Sequence, residues 1–471
     1  MSTNSPRFFS SQREAKTERP PSYTGSPWQL FASDVRLFFR NILYLPFIFL
    51  PLYPWTSGLM DELCPTAANL IDIAFHCVLF VVQLGFLISL PFLLYLPVSI
   101  LILYIAMVLG LNVLVCRHFN KGIPEDGLKS TEDAYSRRWA PHDDEYWIFL
   151  NGICVGRNWL QNNVDRLSRT FHRPVVGVHN KTFGVVFDLV QCLIQRALLY
   201  ATSDVRQCYV LVKKALYRRG VKKVVLILHS QGGIEGGMIL DWLLDEVPQD
   251  LLQYLEVYTF GCLANHFSNP CRSTAPPAAT TGFSAHEEVA SEDIHGRAIS
   301  HIEHYANAYD FASRWGVLNF TKAKPEDPLE NRFMGRVFVN PRAGHQLNQH
   351  YLDSIFPLDP TRRFTRDPEE GDFMDMDASI NAVDGWIERE NQVPSRSFSG
   401  LMDGLEGESN RGRRKVALRE EMLSATPTNN AGIHTGSGTY CNYVKAPKIW
   451  ELSRLWQYRN GGRPVSYQQS V

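Results

Sequence analysis

Between Ile73 and Cys116 the chain runs for 44 residues without one Asp, Glu, Lys or Arg. As a helix that run would be about 66 Å long at ~1.5 Å per residue. A bilayer core is ~30 Å thick, so the run is long enough for two crossings, and core helices of soluble proteins rarely extend this far without a charge. Pro91 and Pro97 fall at its middle, where a hairpin turn belongs. The run therefore predicts an N-terminal transmembrane helical hairpin, with helices near 72–92 and 96–116, inside a membrane region covering 28–116. A further apolar stretch, 38–55, carries Arg40 and prolines at 46, 51 and 54. It reads as interfacial or re-entrant, with a third crossing left open. Arg36 and Arg40 precede the hairpin, and Arg117 and Lys121 follow it. This pattern predicts that both ends face the cytosol. The expectation is an integral protein of an intracellular membrane, with the lipid bilayer as partner and its folded domain on the cytosolic side.

Charge elsewhere is balanced. Lys plus Arg total 47 and Asp plus Glu 48, a net charge of −1, which gives no reason to expect a nucleic-acid partner. Nine cysteines, an odd number with no C-x-x-C pair, suggest neither a disulfide framework nor a zinc site and fit a reducing compartment. Residues 1–27 are polar and lack the apolar core of a signal peptide; they are expected to be disordered, and 117–145 to be a polar linker.

From Tyr146 short apolar runs alternate with helical patterns. Strands are predicted at Tyr146–Leu150, Pro174–Val178, Lys222–Leu228, Leu255–Phe260, His301–Tyr305 and Arg336–Val339. Helices are predicted at Asn158–Phe171, near 184–199 and 203–218, at Gln231–Glu246, at 311–316 and at His345–Ile355. In Gln231–Glu246 the core contacts are expected from Ile234, Met238, Leu240 and Leu243. Fully apolar strands alternating with helices indicate an α/β fold with a mostly parallel sheet covered on both faces. Residues 268–298, rich in Ser, Ala, Thr, Pro and Glu, read as a flexible insertion, and whether 271–300 folds over a site as a lid is left open; 361–471 reads as a mostly disordered tail with one short helix at 448–458.

The segment VVLILHSQGG, residues 224–233, carries the chemistry. An apolar strand runs into His229-Ser230-Gln231-Gly232-Gly233, and a helix follows. This is the context of a nucleophile elbow, a strained strand-to-helix turn that lifts a serine hydroxyl above the sheet edge. Gly232 and Gly233 supply the small residues that a close strand–helix approach needs. The usual pattern is G-x-S-x-G, but Leu228 stands at its first position, so a bulky side chain must find room there.

A serine hydroxyl needs a base, and the base an orienting acid. In chain order serine, acid, histidine, the candidates are Asp310, after the strand at 301–305, and His345, after the strand at 336–339. His350 falls inside the following helix, His304 within a strand, and His229 in the elbow itself. For the oxyanion hole, the backbone N–H of Gln231 is one expected donor. The other is expected from Ile153, in the Asn151-Gly152-Ile153 loop, with Gly152 shaping the bend. No P-loop, HExxH or G-x-G-x-x-G motif competes, so no metal or cofactor is expected.

The segments FLNGICVGRNWLQNN, RPVVGVHNKTFG, VLILHSQGGIEGGMILDWLLDE and GHQLNQHYLD together resemble a family of fungal membrane-anchored α/β-hydrolase-like proteins, similar to lipase-like serine hydrolases. The likeness covers roughly 140–360. It implies the α/β-hydrolase fold and, position by position, Ser230 as nucleophile with Asp310 and His345 as its partners. Asn151 stands where many lipases carry His. The expected activity is cleavage of a hydrophobic acyl ester through an acyl-enzyme. A catalytically inactive membrane scaffold and an acyltransferase or protein thioesterase are the alternatives. The sequence points to no particular protein partner.

Overall fold

A single eight-stranded sheet organises the domain that follows the apolar helices. The computed structural model describes residues 6–9, 26–52, 58–93, 95–133, 136–270, 297–321, 333–358, 373–378 and 447–464. Its strands are β1 (Arg7–Phe9), β2 (Leu128–Lys129), β3 (Glu145–Leu150), β4 (Val175–Val178), β5 (Lys223–His229), β6 (Leu255–Phe260), β7 (His301–Asn307) and β8 (Arg336–Asn340). Their order is β1-β8-β7-β6-β5-β3-β4-β2. The six inner strands pair in parallel, and β1 and β2 close the two edges antiparallel. The sheet is therefore mixed, and the fold is α/β.

Helices fill both faces. α4 (Arg157–Phe171), α5 (Val185–Leu198), α6 (Ser203–Tyr217) and α7 (Gln231–Glu246) succeed α1 (Pro27–Arg40), α2 (Ala67–Leu93) and α3 (Val98–Asn120) along the chain. Alternation along β5 divides the core. Val224, Leu226 and Leu228 join one cluster with the α7 side chains Ile234, Met238, Leu240 and Leu243. Val225 and Ile227 join the other with Leu160, Val164 and Leu167 of α4. From β3 the chain steps to β4 on one side, and then to β5 on the other. A crevice opens at the carboxyl ends of strands where the winding reverses in this way, and ligands of open α/β sheets bind there.

Two helices, α2 and α3, are long and apolar enough to cross a membrane. Both run further than the charge-free stretch predicts. Asp72 does not end α2, because His118 and Asn158 bond its carboxylate. Pro91 sits in the last turn of α2, whereas Pro97 caps α3.

Four segments differ from expectation. Residues Arg7–Phe9, inside the stretch expected to be disordered, form β1 and pair with Val337–Val339. Within the predicted linker, Leu128–Lys129 forms β2 and Ser136–Arg138 a 3₁₀ turn. The apolar segment at 28–40 belongs to the α/β core: the buried Asp34 of α1 pairs with the buried Arg196 of α5 at 2.9 Å, and Phe38 packs edge-on against Phe311 and Trp315. Ile42–Ile48 follows as a 3₁₀ turn. Finally, the expected helix at 448–458 is two pieces, Ile449–Leu452 and the 3₁₀ turn Leu455–Gly461, broken at Ser453, whose side chain bonds the Tyr305 hydroxyl. The expected flexible insertion, apart from 268–270 and 297–298, and most of the expected tail lie outside the described residues.

The 447–464 segment is held by buried acids. Arg454 pairs with Glu256 at 2.9 Å, and Tyr458 donates to the same carboxylate at 2.8 Å. The backbone N–H groups of Arg454 and Leu455 donate to Glu303. Burial pushes the Glu256 carboxyl up, but Arg454, Lys223 and His301 outweigh it and bring it down to about 2. A depressed carboxyl contributes stability that is present above its unfolded value and lost as pH falls through the folded one. Glu256→Gln is therefore expected to cost about 3 kcal/mol at pH 7, as for one partner removed from a buried pair. The gap from wild type should close between pH 4.5 and about 2. Denaturant titrations of both proteins across that range measure it.

Candidate active site

Ser230 ends β5 and caps α7 with φ 57° and ψ −121°. A residue that carries a Cβ rarely adopts that region, and a strained serine at a strand-to-helix turn is the elbow geometry. The turn is fixed on both sides. Ser230 donates its N–H to the Phe260 carbonyl, and its own carbonyl accepts from Gly233 and Leu263.

Three glycines let the elbow close. A Cβ on Gly152 would stand 2.4 Å from Ser230 Cβ and 3.0 Å from Oγ, so the β3 loop passes directly against the nucleophile candidate. A Cβ on Gly232 would meet the Leu150 carbonyl at 2.6 Å. The room that Leu228 needs comes from Gly236, where a Cβ would meet Leu228 Cδ1 at 2.2 Å. The departure from G-x-S-x-G is thus matched one turn and a half into the helix rather than in the strand.

The structure brings Ser230, His345 and Asp310 into one hydrogen-bond chain. Ser230 Oγ lies 2.9 Å from His345 Nε2, and His345 Nδ1 lies 3.0 Å from Asp310 Oδ2. An ionised carboxylate only accepts, so Nδ1 carries the proton and Nε2 is free to accept from the serine hydroxyl. All three residues are buried. Asp310 also accepts from the Ala312 and Ser313 N–H groups, the Ser313 hydroxyl and the Tyr351 hydroxyl, the last at 2.7 Å. Burial pushes its carboxyl up, but the His345 ring and these hydroxyls outweigh it and hold it below the usual range. It stays ionised at neutral pH.

His229 is a bracket. Its ring stacks on His345 with centroids 4.8 Å apart, and its Nε2 bonds the His345 carbonyl at 2.9 Å. Burial, with the His345 ring beside it, lowers His229 to about 3. It is therefore neutral and donates to that carbonyl. His304 bonds Thr259 and the Met334 carbonyl within the sheet. His350 lies in a π-helical turn, Leu347–Leu352, and bonds the Pro51 carbonyl. Neither histidine joins the chain to Ser230.

Behind the serine, the expected oxyanion loop is tied down by amides. Asn151 Nδ2 donates to the Gly152 and Asn180 carbonyls, and Asn151 Oδ1 accepts from the Asn180 N–H. Asn180 then donates to Gln231 Oε1, and Gln231 to Gln195. The side chain of Gln231 is occupied by this network. No hydrogen bond among the described residues takes the backbone N–H of either Gln231 or Ile153. Gly233 packs on Cys262 and shapes the helix's seat rather than the oxyanion site.

Sequence reasoning missed Glu62, on the segment entering α2. Its buried carboxylate accepts from the Asn348 and Gln349 N–H groups and from Asn163 Nδ2. It grips the π-helical turn that follows His345. Burial pushes this carboxyl up against those hydrogen bonds. Nothing in the spacing of Asp61-Glu62 marks it, since its partners lie between 101 and 287 residues away.

Comparison of the chain with protein-family models, curated proteins and solved structures returned no match. The site is therefore argued from its own geometry. Gly236→Ala is expected to destabilise by about 1–3 kcal/mol through the clash with Leu228. Leu228→Ala relieves that clash, so the double variant should lose less than the two single losses added together. A double-mutant cycle in denaturant measures the coupling, and strict additivity would refute the paired fit.

Proposed function

We propose that this chain is a membrane-anchored serine hydrolase of the α/β-hydrolase fold, cleaving a hydrophobic acyl ester. The observation that carries the proposal is the continuous chain from Ser230 through His345 to Asp310, with the serine on a positive-φ elbow. His345 takes the Oγ proton as Ser230 attacks the carbonyl carbon, and Asp310 holds the ring and balances its charge. The Gln231 and Ile153 N–H groups receive the oxyanion. Collapse expels the alcohol, which takes the proton from His345. Water, deprotonated by His345, then attacks the acyl-serine, releasing the acid and restoring the hydroxyl.

The position of the site supports the substrate class. The α2–α3 pair, read as the transmembrane hairpin, bonds the loop that lies next to Asn151 and Gln231. Asn120 Nδ2 donates to the Thr182 carbonyl, and Asn112 Nδ2 to that of Phe183. An acyl chain held in the bilayer would thus lie close to Ser230. The expected family of lipase-like serine hydrolases fits this arrangement. With both hairpin ends on the cytosolic side, the domain faces the cytosol.

A fluorophosphonate probe tests the chemistry, because it needs an activated serine. Wild type is expected to label, and Ser230→Ala to abolish labelling. Asp310→Asn should slow acylation by up to ~10⁴-fold, the scale seen when the orienting acid is lost. A folded wild type that never labels would refute the hydrolase reading.

A further inference from the structure

α5 is built inside out. Its two charged residues, Asp188 and Arg196, are both buried. Asp188 accepts from the Cys154 N–H, the Phe183 N–H and the Thr182 hydroxyl. Arg196 bonds Asp34 and the carbonyls of Leu263 and Trp315. Gln195 also points inward, to Gln231 and Glu235. The exposed residues of the helix itself are apolar: Val190 is 40% exposed and Leu198 46%, with Phe183 just before it at 40% and Leu199 and Tyr200 just after it at 50% and 56%; Lys181, in the entry loop, is the exposed charge nearest this face. A helix on a water-facing surface shows the opposite arrangement. On α1, which lies against α5, the buried charge is Asp34, Trp28 and Phe39 are 74% and 61% exposed, and Arg36 and Arg40 are exposed beside them, so its outer flank is mixed rather than apolar.

The depth of α5 can be read from its contacts with the apolar pair. Gln83 of α2 donates to the Phe183 carbonyl and accepts from the Val186 N–H. Asn112 of α3 donates to the same carbonyl. Gln83 lies ten residues before Leu93, and Asn112 fourteen after Val98, about 15 and 21 Å from the hairpin turn at ~1.5 Å per residue. Phe187 packs edge-on against Phe86, which is closer still to the turn. Exposed apolar residues continue along α2 from Leu70 to Phe92, on both sides of those levels. Hydrocarbon deep enough to cover them also covers the start of α5. The backbone groups at that depth are bonded to Gln83 and Asn112, as buried backbone in lipid requires. At 199–202 the axis bends by 62° into α6, which would carry the chain away from that level. α6 presents Arg206 and Lys214 to solvent.

We infer that the α/β domain is itself seated in the bilayer, with the outward face of α5 in contact with lipid acyl chains beside α2 and α3. This rests on the membrane part of the proposed function and is independent of the hydrolase chemistry. The domain is then sunk into the lipid rather than tethered above it, and the loop at 180–184, which leads from the Asn151–Asn180 network to α5, marks the side from which lipid approaches Ser230.

The test uses the full chain in phosphatidylcholine vesicles, with the photocrosslinker p-benzoylphenylalanine replacing Val81, Val190, Leu198 or Lys214 in turn. Each site is exposed, so the substitution leaves the core intact. Lipid adducts are read by mass spectrometry. The expected result is adduct formation at Val190 and Leu198 at the level seen at Val81, and its loss at Lys214. Adducts at Val81 but background at Val190 and Leu198 would overturn the inference while leaving the anchor standing. Background at Val81 as well would remove the anchor and the seated domain together.

Discussion

Everything in the site depends on how closely α7 can approach the carboxyl ends of β3 and β5. Ser230 reaches His345 only because the chain reverses at a positive φ, with the β3 loop pressed against its side chain. That approach excludes side chains at Gly152 and Gly232 and demands a gap opposite Leu228. The strain of a non-glycine residue at φ > 0 is of order 1–3 kcal/mol. The three backbone hydrogen bonds at Ser230, to Phe260, Gly233 and Leu263, are what over-determine the turn.

Around this constraint the buried polar groups are arranged as connected chains. One runs from Tyr351 and Ser313 through Asp310 to His345 and Ser230. Another runs from Asn151 through Asn180, Gln231 and Gln195 to Glu235. Burial pushes the Glu235 carboxyl well above its usual range, with Asp204 adding to the effect. In a low-dielectric interior, connected chains of this kind favour a single geometry; the second chain leaves Asn180 Oδ1 and Glu235 Oε2 buried without a hydrogen-bond partner among the described residues. The loops behind the serine are thus tied together without using its own hydroxyl.

What the sequence made legible was local. Six strands, the elbow and the serine–acid–histidine order all follow from apolar runs ending in turn residues, because each strand edge delivers its side chain wherever the sheet is parallel. What it hid was long-range. Arg7–Phe9 has no apolar run of its own and becomes a strand only because β8 offers an open edge. The 447–464 segment docks through Arg454 on Glu256, a pair separated by 198 residues. α1 falls inside the 28–116 span assigned to the membrane region, yet its one buried charge pairs with α5. In each case the deciding partner lies outside any window in which periodicity can be seen.

The same long-range contacts join the apolar helices to the site. Glu62, just ahead of α2, holds the N–H groups of Asn348 and Gln349 in the turn that follows His345. Gln346, next to His345, donates to the Ile48 carbonyl, and His350 bonds that of Pro51. The histidine loop is therefore held from one side by the sheet, through Asn307 to the Gly344 carbonyl, and from the other by chain that leads into α2. The second set of contacts belongs to a segment whose neighbour is the apolar pair. Any displacement of α2 relative to the sheet would pull on Glu62 before it reached Ser230. A side chain that must sit within hydrogen-bond reach of a serine tolerates little such movement. The polar contacts from Asn69, Asp72, Gln83, Asn112 and Asn120 to the domain are thus more than a tether: they fix the apolar helices in register with the loop on which the geometry of His345 rests.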